Sequence, residues 1–374
     1  MAAEANMPMR EYLPLVSLEH TNRFNKSKLN IKDQWASHPS LADRIAQAQA
    51  LNLPTLTEDW ASANTLFENI AQIQRNMTAQ IFDSVDVIQT ITMQTDEEFI
   101  QGYTEYYDAN TFPKVFNCYF DDKNPAILDI QKHVISLEKT SFLQDDLYGD
   151  TAVDMVYTIQ ALTRDIETLT NIADGLYDDV KSFDYDGVRY DADNMYGLVP
   201  KLKNELHQLK LTEEKNDIRI FQHALGEARK NGLANEYIAH YQAYLDMDKR
   251  YDALFESQNE FKKYLAFVEE VLNYDVILTH QIKLAQQEPA FKDRIRTMIA
   301  DEQLKPAITA IQMDSFTTYL TKDWTYFQGE NYNQYNLGIL YDALHSYEKV
   351  VARAFFLEKK RLLEFQAQFC MAKI

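Results

Sequence analysis

Apolar side chains recur three and four residues apart over most of this chain. Leu202, Leu206 and Leu209 step by four and three, and Ile218, Phe221 and Leu225 by three and four. A later segment carries Leu254, Phe261, Leu265, Val268 and Leu272. The last carries Leu337, Leu340, Leu344, Tyr347, Val351, Phe355, Leu362, Phe365 and Phe369. Each stripe has a charged opposite face, which predicts amphipathic helices packing on one another. The heptads are too interrupted for a free coiled-coil rod. Nearer the start, His38-Pro39-Ser40 announces a helix: Ser40 is placed to cap it, and Asp43 stands where a capping box takes an acid. Leu41, Ile45, Ala48 and Leu51 give that helix its stripe, and Pro54 closes it.

The pattern therefore predicts a mainly α protein of long, bundle-like packed helices. Along the sequence it divides into residues 1–55, a helical and aromatic connecting region 56–130, and a helical extension 131–374. Thr111 to Pro125 gathers turn residues and reads as irregular. One stretch has the period of a strand. Phe183 to Tyr190 alternates aromatic and polar residues around Asp186-Gly187, a dipeptide that supplies the positive φ a two-residue hairpin needs. A small hairpin is expected there, between helices 151–180 and 195–230.

Composition agrees. Nine Gly and nine Pro among 374 residues are under half the average share of roughly 12%, so turns are few. Lys and Arg total 37 against 57 Asp and Glu, a formal charge of −20. That field repels a phosphate backbone, and the best basic run, Glu358-Lys359-Lys360-Arg361, is too short to reverse it. Nucleic acid is not an expected partner. No run of 18 apolar residues exists to span a bilayer. Met1 to Leu13 has neither the basic nor the apolar region of a signal peptide, and this abrupt start reads as part of something longer. Cys118 and Cys370 are too few for a disulfide framework or a Cys-rich zinc site and read as buried thiols.

A search for chemistry mostly excludes it. The eight histidines include no two within five residues and none followed by Glu, so HExxH is absent. Asp342-Ala343-Leu344-His345 is the nearest approach to a di-iron Glu-x-x-His motif. Asp184, Asp186 and Gly187 resemble the middle of an EF-hand loop, but Ser182 and Asp193 stand where the end ligands belong, and a hairpin turn is the better reading. Two aromatic groups, Tyr103 to Phe120 and Trp324 to Tyr335, read as core beneath loops rather than as a peptide groove.

One stretch is more specific. Asn22-Arg23-Phe24-Asn25-Lys26 leads through Lys32-Asp33-Gln34-Trp35 into His38-Pro39-Ser40-Leu41-Ala42-Asp43-Arg44-Ile45. This resembles the segment that closes the catalytic domain of HtpX-like zinc metallopeptidases, the group that includes the prenyl-protein proteases. There a Ser/Thr-His-Pro motif, with Arg six residues after the His, lies downstream of HExxH and the glutamate zinc ligand. The resemblance implies that His38 steadies the oxyanion of the tetrahedral intermediate and that Arg44 braces the cleft. Both need a zinc and a general base opposite them, which this sequence does not carry. Tyr119 to Pro125 and Asp323 to Phe327 are similar to parts of the long helical extension of the large bacterial members. The implied whole is a membrane-anchored, peptide-hydrolysing bacterial zinc enzyme, with this chain a soluble segment on the cytoplasmic face of the inner membrane. This chain would be its non-catalytic C-terminal part, without a complete catalytic, cofactor or metal site. Its partners would be the zinc-binding half and a peptide or protein substrate. The alternative is a stand-alone helical adaptor.

Overall fold

A computed structural model describes residues 26–31, 41–51, 63–83, 95–135, 142–177, 180–191, 195–265, 268, 273–328 and 331–370. The chain is mainly α-helical, as the periodicity predicts. It divides into two compact units. The division runs across the sequence order. One unit takes the described parts of Lys28–Tyr107 and Ile172–Met195; the other takes most of Asp108–Asn171 and Tyr196–Ile374.

In the smaller unit, β1 is Leu29–Asn30, α1 is Leu41–Ala50 and α2 is Ile70–Asp83. Helix α3, Asp96–Asn110, begins here. Its start carries a reciprocal cap: the Thr95 N–H donates to Glu98 Oε2 at 2.9 Å, and the Glu98 N–H donates to Thr95 Oγ1 at 3.2 Å. The expected hairpin is present, as β2 (Ser182–Tyr185) and β3 (Val188–Asp191). Asp186 and Gly187 adopt φ of 51° and 76°, the mirror-image turn whose twist suits paired strands. Phe183 stacks on its cross-strand partner Tyr190, ring centroids 5.7 Å apart. Sequence reading does not supply β1, which pairs antiparallel with β2, Leu29 opposite Tyr185.

Helix α1 forms where its stripe predicts, but Ile45, Ala48 and Leu51 are exposed. Periodicity shows that a helix has an apolar side; it does not show that the side is covered. Ser40, the proposed cap, lies outside the described residues.

The larger unit holds the core. After the short helices α4 (Ile130–Ile135) and α5 (Gln144–Tyr148) come α6 (Asp150–Ala173), α7 (Leu198–Lys230), α8 (Ala234–Lys262) and α9 (Tyr274–Ala300). Helix α10 (Ala310–Leu320) follows, then a minimal hairpin of β4 (Phe327–Gln328) and β5 (Asn331–Tyr332). The chain then runs through α11, Gln334–Cys370, whose 37 residues rise roughly 55 Å. Three apolar clusters lie along it. Leu337 to Ala354 pack with Phe261, Phe291, Ile295 and Phe316. Leu362, Phe365 and Phe369 pack with Phe221, Tyr237 and Tyr244. Leu363 and Ala367 pack with Phe116, Tyr119, Phe120 and Tyr148.

The last of these clusters depends on a tight corner between α5 and α6. Gly149 donates its N–H to Asp145 O at 2.9 Å, so close that an added Cβ would lie 2.3 Å from that oxygen. Gly149→Ala should destabilise the protein by about 1–3 kcal/mol through this overpacking. Gly226, inside α7 with open space around its Cβ position, gives the contrast. Gly226→Ala should stabilise by about 0.5–1 kcal/mol, because alanine loses less backbone freedom on folding. Paired denaturant melts check both signs.

Candidate functional site

Residues 111–125 carry the aromatic insert into the larger unit. A single 3-10 turn, Lys114–Phe116, ends at Asn117 and Cys118, which take the left-handed conformation at φ 51° and 65°. Asparagine visits that region readily; cysteine does so at a cost near 1 kcal/mol. The reversal is held by the Asn117 amide, which donates to Tyr148 O at 3.0 Å and Asp150 Oδ1 at 3.1 Å. It turns Phe116, Tyr119 and Phe120 inward, where all three are buried. Phe116 meets Phe120 edge-to-face at 5.3 Å, and Tyr119 meets Tyr148 likewise at 5.8 Å. The core reading of this group therefore holds for its second half, whereas Tyr106 and Tyr107 are exposed on α3. The second aromatic group divides the same way: Tyr326 and Phe327 are buried and Tyr335 is exposed.

Burying tyrosine requires a partner for its hydroxyl. Helix α7 supplies it, because Glu213, Asn216 and Asp217 share one face at spacings of three and four. Tyr119 donates to Asp217 Oδ1 at 2.8 Å, and the Asn216 amide donates to Tyr119 OH at 3.2 Å and to Leu147 O at 3.0 Å. Lys123 donates to Asp217 Oδ2 at 2.5 Å, with Glu213 3.9 Å away. Burial pushes the Asp217 and Glu213 carboxyls above their usual range, against the pull of Lys123. It pushes the Tyr119 hydroxyl up as well, so tyrosine stays the donor.

Beside this network lies a cleft of about 1140 Å3. Asp145, Asp146 and Asp150 line it from the α5–α6 corner, and Lys215 and Arg219 line it from α7. Asn117, Tyr148 and Asn216 join the lining from the network and the aromatic turn. The Arg219 guanidinium rests 4.6 Å from the Phe142 ring centre. Opposed charges and amides suit an extended polar segment better than an apolar molecule. The groups here that burial has perturbed are committed to one another. The Cys370 thiol, pushed up to about 11 by burial, is not a thiolate nucleophile at neutral pH.

A second buried charge is satisfied by the same means. Glu288 in α9 accepts from Tyr319 OH at 2.9 Å and from Tyr326 OH at 2.6 Å. Lys292, one turn on, donates to Lys322 O at 2.7 Å and Asp323 Oδ1 at 2.9 Å. Asp323 is held below the usual carboxylate range by that hydrogen bond and charge.

Of the residues proposed by resemblance, His38 lies outside the described residues. Arg44 is exposed on α1, in the smaller unit. His345 is exposed and pairs with Glu348 at 3.7 Å, within α11. Asp184 and Asp186 belong to the hairpin, as the turn reading has it. Among the described residues no group of three or more His, Cys, Asp or Glu could hold a metal ion, and no helix is long and apolar enough to cross a membrane. Sequence reading did not single out Asp217, Asn216 or Glu288. Their one signal is an acid or amide falling on the apolar side of a helix. No protein-family model, curated protein or solved structure matches the chain.

The network makes a graded prediction. Asp217→Ala strands Lys123 and the Tyr119 hydroxyl and should cost about 3 kcal/mol. Glu260→Ala, which removes an exposed partner of Lys263, should cost under about 0.5 kcal/mol. Because the folded Asp217 carboxyl binds its proton more tightly than the unfolded one, the native state holds more protons between the two values. Stability from this group therefore falls as pH rises through the carboxylate range. Asp217→Asn removes the dependence, so the wild-type advantage over it should narrow as pH rises. Melts of both proteins across that range measure the slope.

Proposed function

We propose that this chain is a non-catalytic helical scaffold, the C-terminal extension of an HtpX-like zinc metallopeptidase. It gates or positions peptide substrate for a zinc-binding half that lies elsewhere. The observation that supports the scaffold reading most is the use made of buried charge: Asp217, Glu288 and Lys292 are all held by hydrogen bonds that join separate segments of the larger unit. Such side chains brace a frame and are not poised over a reacting atom. The peptidase part of the reading rests on the resemblance of residues 22–45. In this reading the cleft between the α5–α6 corner and α7 holds a stretch of substrate, its acids and bases matched by opposite charges.

The stand-alone adaptor has its own support. Leu66, Phe67, Met77 and Ile81, in and just before α2, expose apolar side chains, a feature of surfaces that bind other proteins. The two readings separate on one comparison. Joined to an in-frame HExxH half, the extension should change cleavage of a protein substrate more than cleavage of a short peptide. The double charge reversal Lys215→Glu, Arg219→Glu should shift KM for the protein substrate by several-fold. If deleting residues 56–374 leaves proteolysis and substrate range unchanged, or the gene has its own start with no such half upstream, gating is wrong and the adaptor reading stands.

A further inference from the structure

Lysine 359 occupies an unusual place midway along α11. Its residue is only 5% exposed, and Nζ donates to Phe120 O at 2.7 Å while lying 4.3 Å from the Phe112 ring centre. Phe112 also forms part of the wall of a separate cavity of about 330 Å3, along with Phe355, Phe356, Asp121 and Lys359 itself. The amine therefore lies at an aromatic wall of a space large enough for a small molecule. Asp121 and Asn124, also in the lining, are exposed, so the cavity opens to solvent.

Its neighbours differ from it in one respect. Lys360 donates to Asp108 O and Thr111 O at 2.6 and 2.7 Å and pairs with Glu364 at 3.0 Å, and Arg361 pairs with Glu358 at 2.5 Å. Lys359 has no carboxylate at salt-bridge distance among the described residues, its charge being met by a carbonyl and a ring. Burial lowers its pKa to about 8, with Asp121 and Asp122 pulling upward and Lys123 pushing down. An ordinary lysine titrates near 10.4, so at neutral pH the free-base fraction of Lys359 is larger by about two hundredfold. Burial also raises the Asp121 carboxyl, on the same cavity wall.

We propose that Lys359 is a reactive amine that condenses with small aromatic or branched aldehydes admitted to this cavity, with Asp121 as the proton donor. The free amine keeps one N–H on Phe120 O and directs its lone pair at the carbonyl carbon. The N–C bond forms, a proton passes from nitrogen to oxygen, and a carbinolamine results. Asp121 protonates the hydroxyl, the C–O bond breaks and water leaves. The remaining nitrogen proton returns to Asp121, giving a neutral imine. The balance is one amine plus one aldehyde to one imine plus one water, with no oxidant or reductant. This goes beyond the scaffold reading and does not depend on the peptidase resemblance.

The test uses the wild-type chain, so it needs no variant to fold. Benzaldehyde with cyanoborohydride traps any imine as a benzylamine, and peptide mass spectrometry locates it. Lys359 should be labelled about tenfold faster than Lys230 or Lys263, two exposed lysines. Its rate should rise with a midpoint near pH 8. Asp121→Asn, shown by its melt to be folded, should slow labelling at Lys359 and leave Lys230 unchanged. Labelling of Lys359 no faster than of Lys230 overturns the proposal, and an unchanged rate in Asp121→Asn removes Asp121 from it.

Discussion

A helix covered on every side has no exposed face on which to keep its charges in water, and α11 is so covered from Arg353 to Lys360, where no residue is exposed. Its first half packs one apolar cluster and its second half packs two more, on different sides. Glu358 and Lys359, near the join, have no exposed face left to occupy. A desolvated ammonium is tolerable only where oxygen or an aromatic face replaces water. The 108–120 segment supplies both. The carbonyls of Asp108, Ala109, Thr111 and Phe120 accept from Lys360, Arg353 and Lys359. Several of these carbonyls end a helix, where the backbone dipole is negative and the last oxygens lack helical partners. One arrangement thus satisfies the end of α3 and the cations of α11 together.

The same constraint recurs with opposite sign. Asp217 and Glu288 are carboxylates on the inner faces of α7 and α9, and both are met by tyrosine hydroxyls from segments outside regular helices or at their ends. This explains part of the tyrosine content. A tyrosine fills core volume as phenylalanine does and adds one donor, which is what a buried carboxylate requires. Gln366 completes the pattern, donating to Tyr148 OH at 2.6 Å within the second half of α11. Polar groups placed this way make packing selective, since a shifted register would leave several of them unpaired.

Much of this frame was legible in the sequence. The apolar stripe of α11 predicted its buried face: of its nine members only Phe355 is less than fully buried. Asp186-Gly187 predicted the hairpin because positive φ is a local property. What escaped is what depends on distant partners. The pairing of Leu29 with Tyr185 joins strands far apart in sequence, and a two-residue strand has no period to read. Glu358 to Arg361 reads in sequence only as a short basic run, yet Lys359 is buried, because helix periodicity does not reveal when a second surface covers the polar face. Pro289, a residue expected to punctuate, sits inside α9. It is exposed, as is Ala285 one turn earlier, so water can serve the carbonyl that loses its donor. The candidate site was less legible than the fold. The resemblance pointed to residues 22–45, whereas the cleft is built from three segments between Val115 and Arg219.

The central claim is that α11 is one cooperative spine on which three clusters depend. Native-state hydrogen exchange along it is the direct measurement. Amides from Leu337 to Ala354 and from Leu362 to Phe369 should share one opening free energy, equal to that of global unfolding, and should lose protection together in Asp217→Ala. If the second half opens at a free energy several kcal/mol below the first, or if Asp217→Ala lowers protection only there, the helix is two independent supports and the account is contradicted.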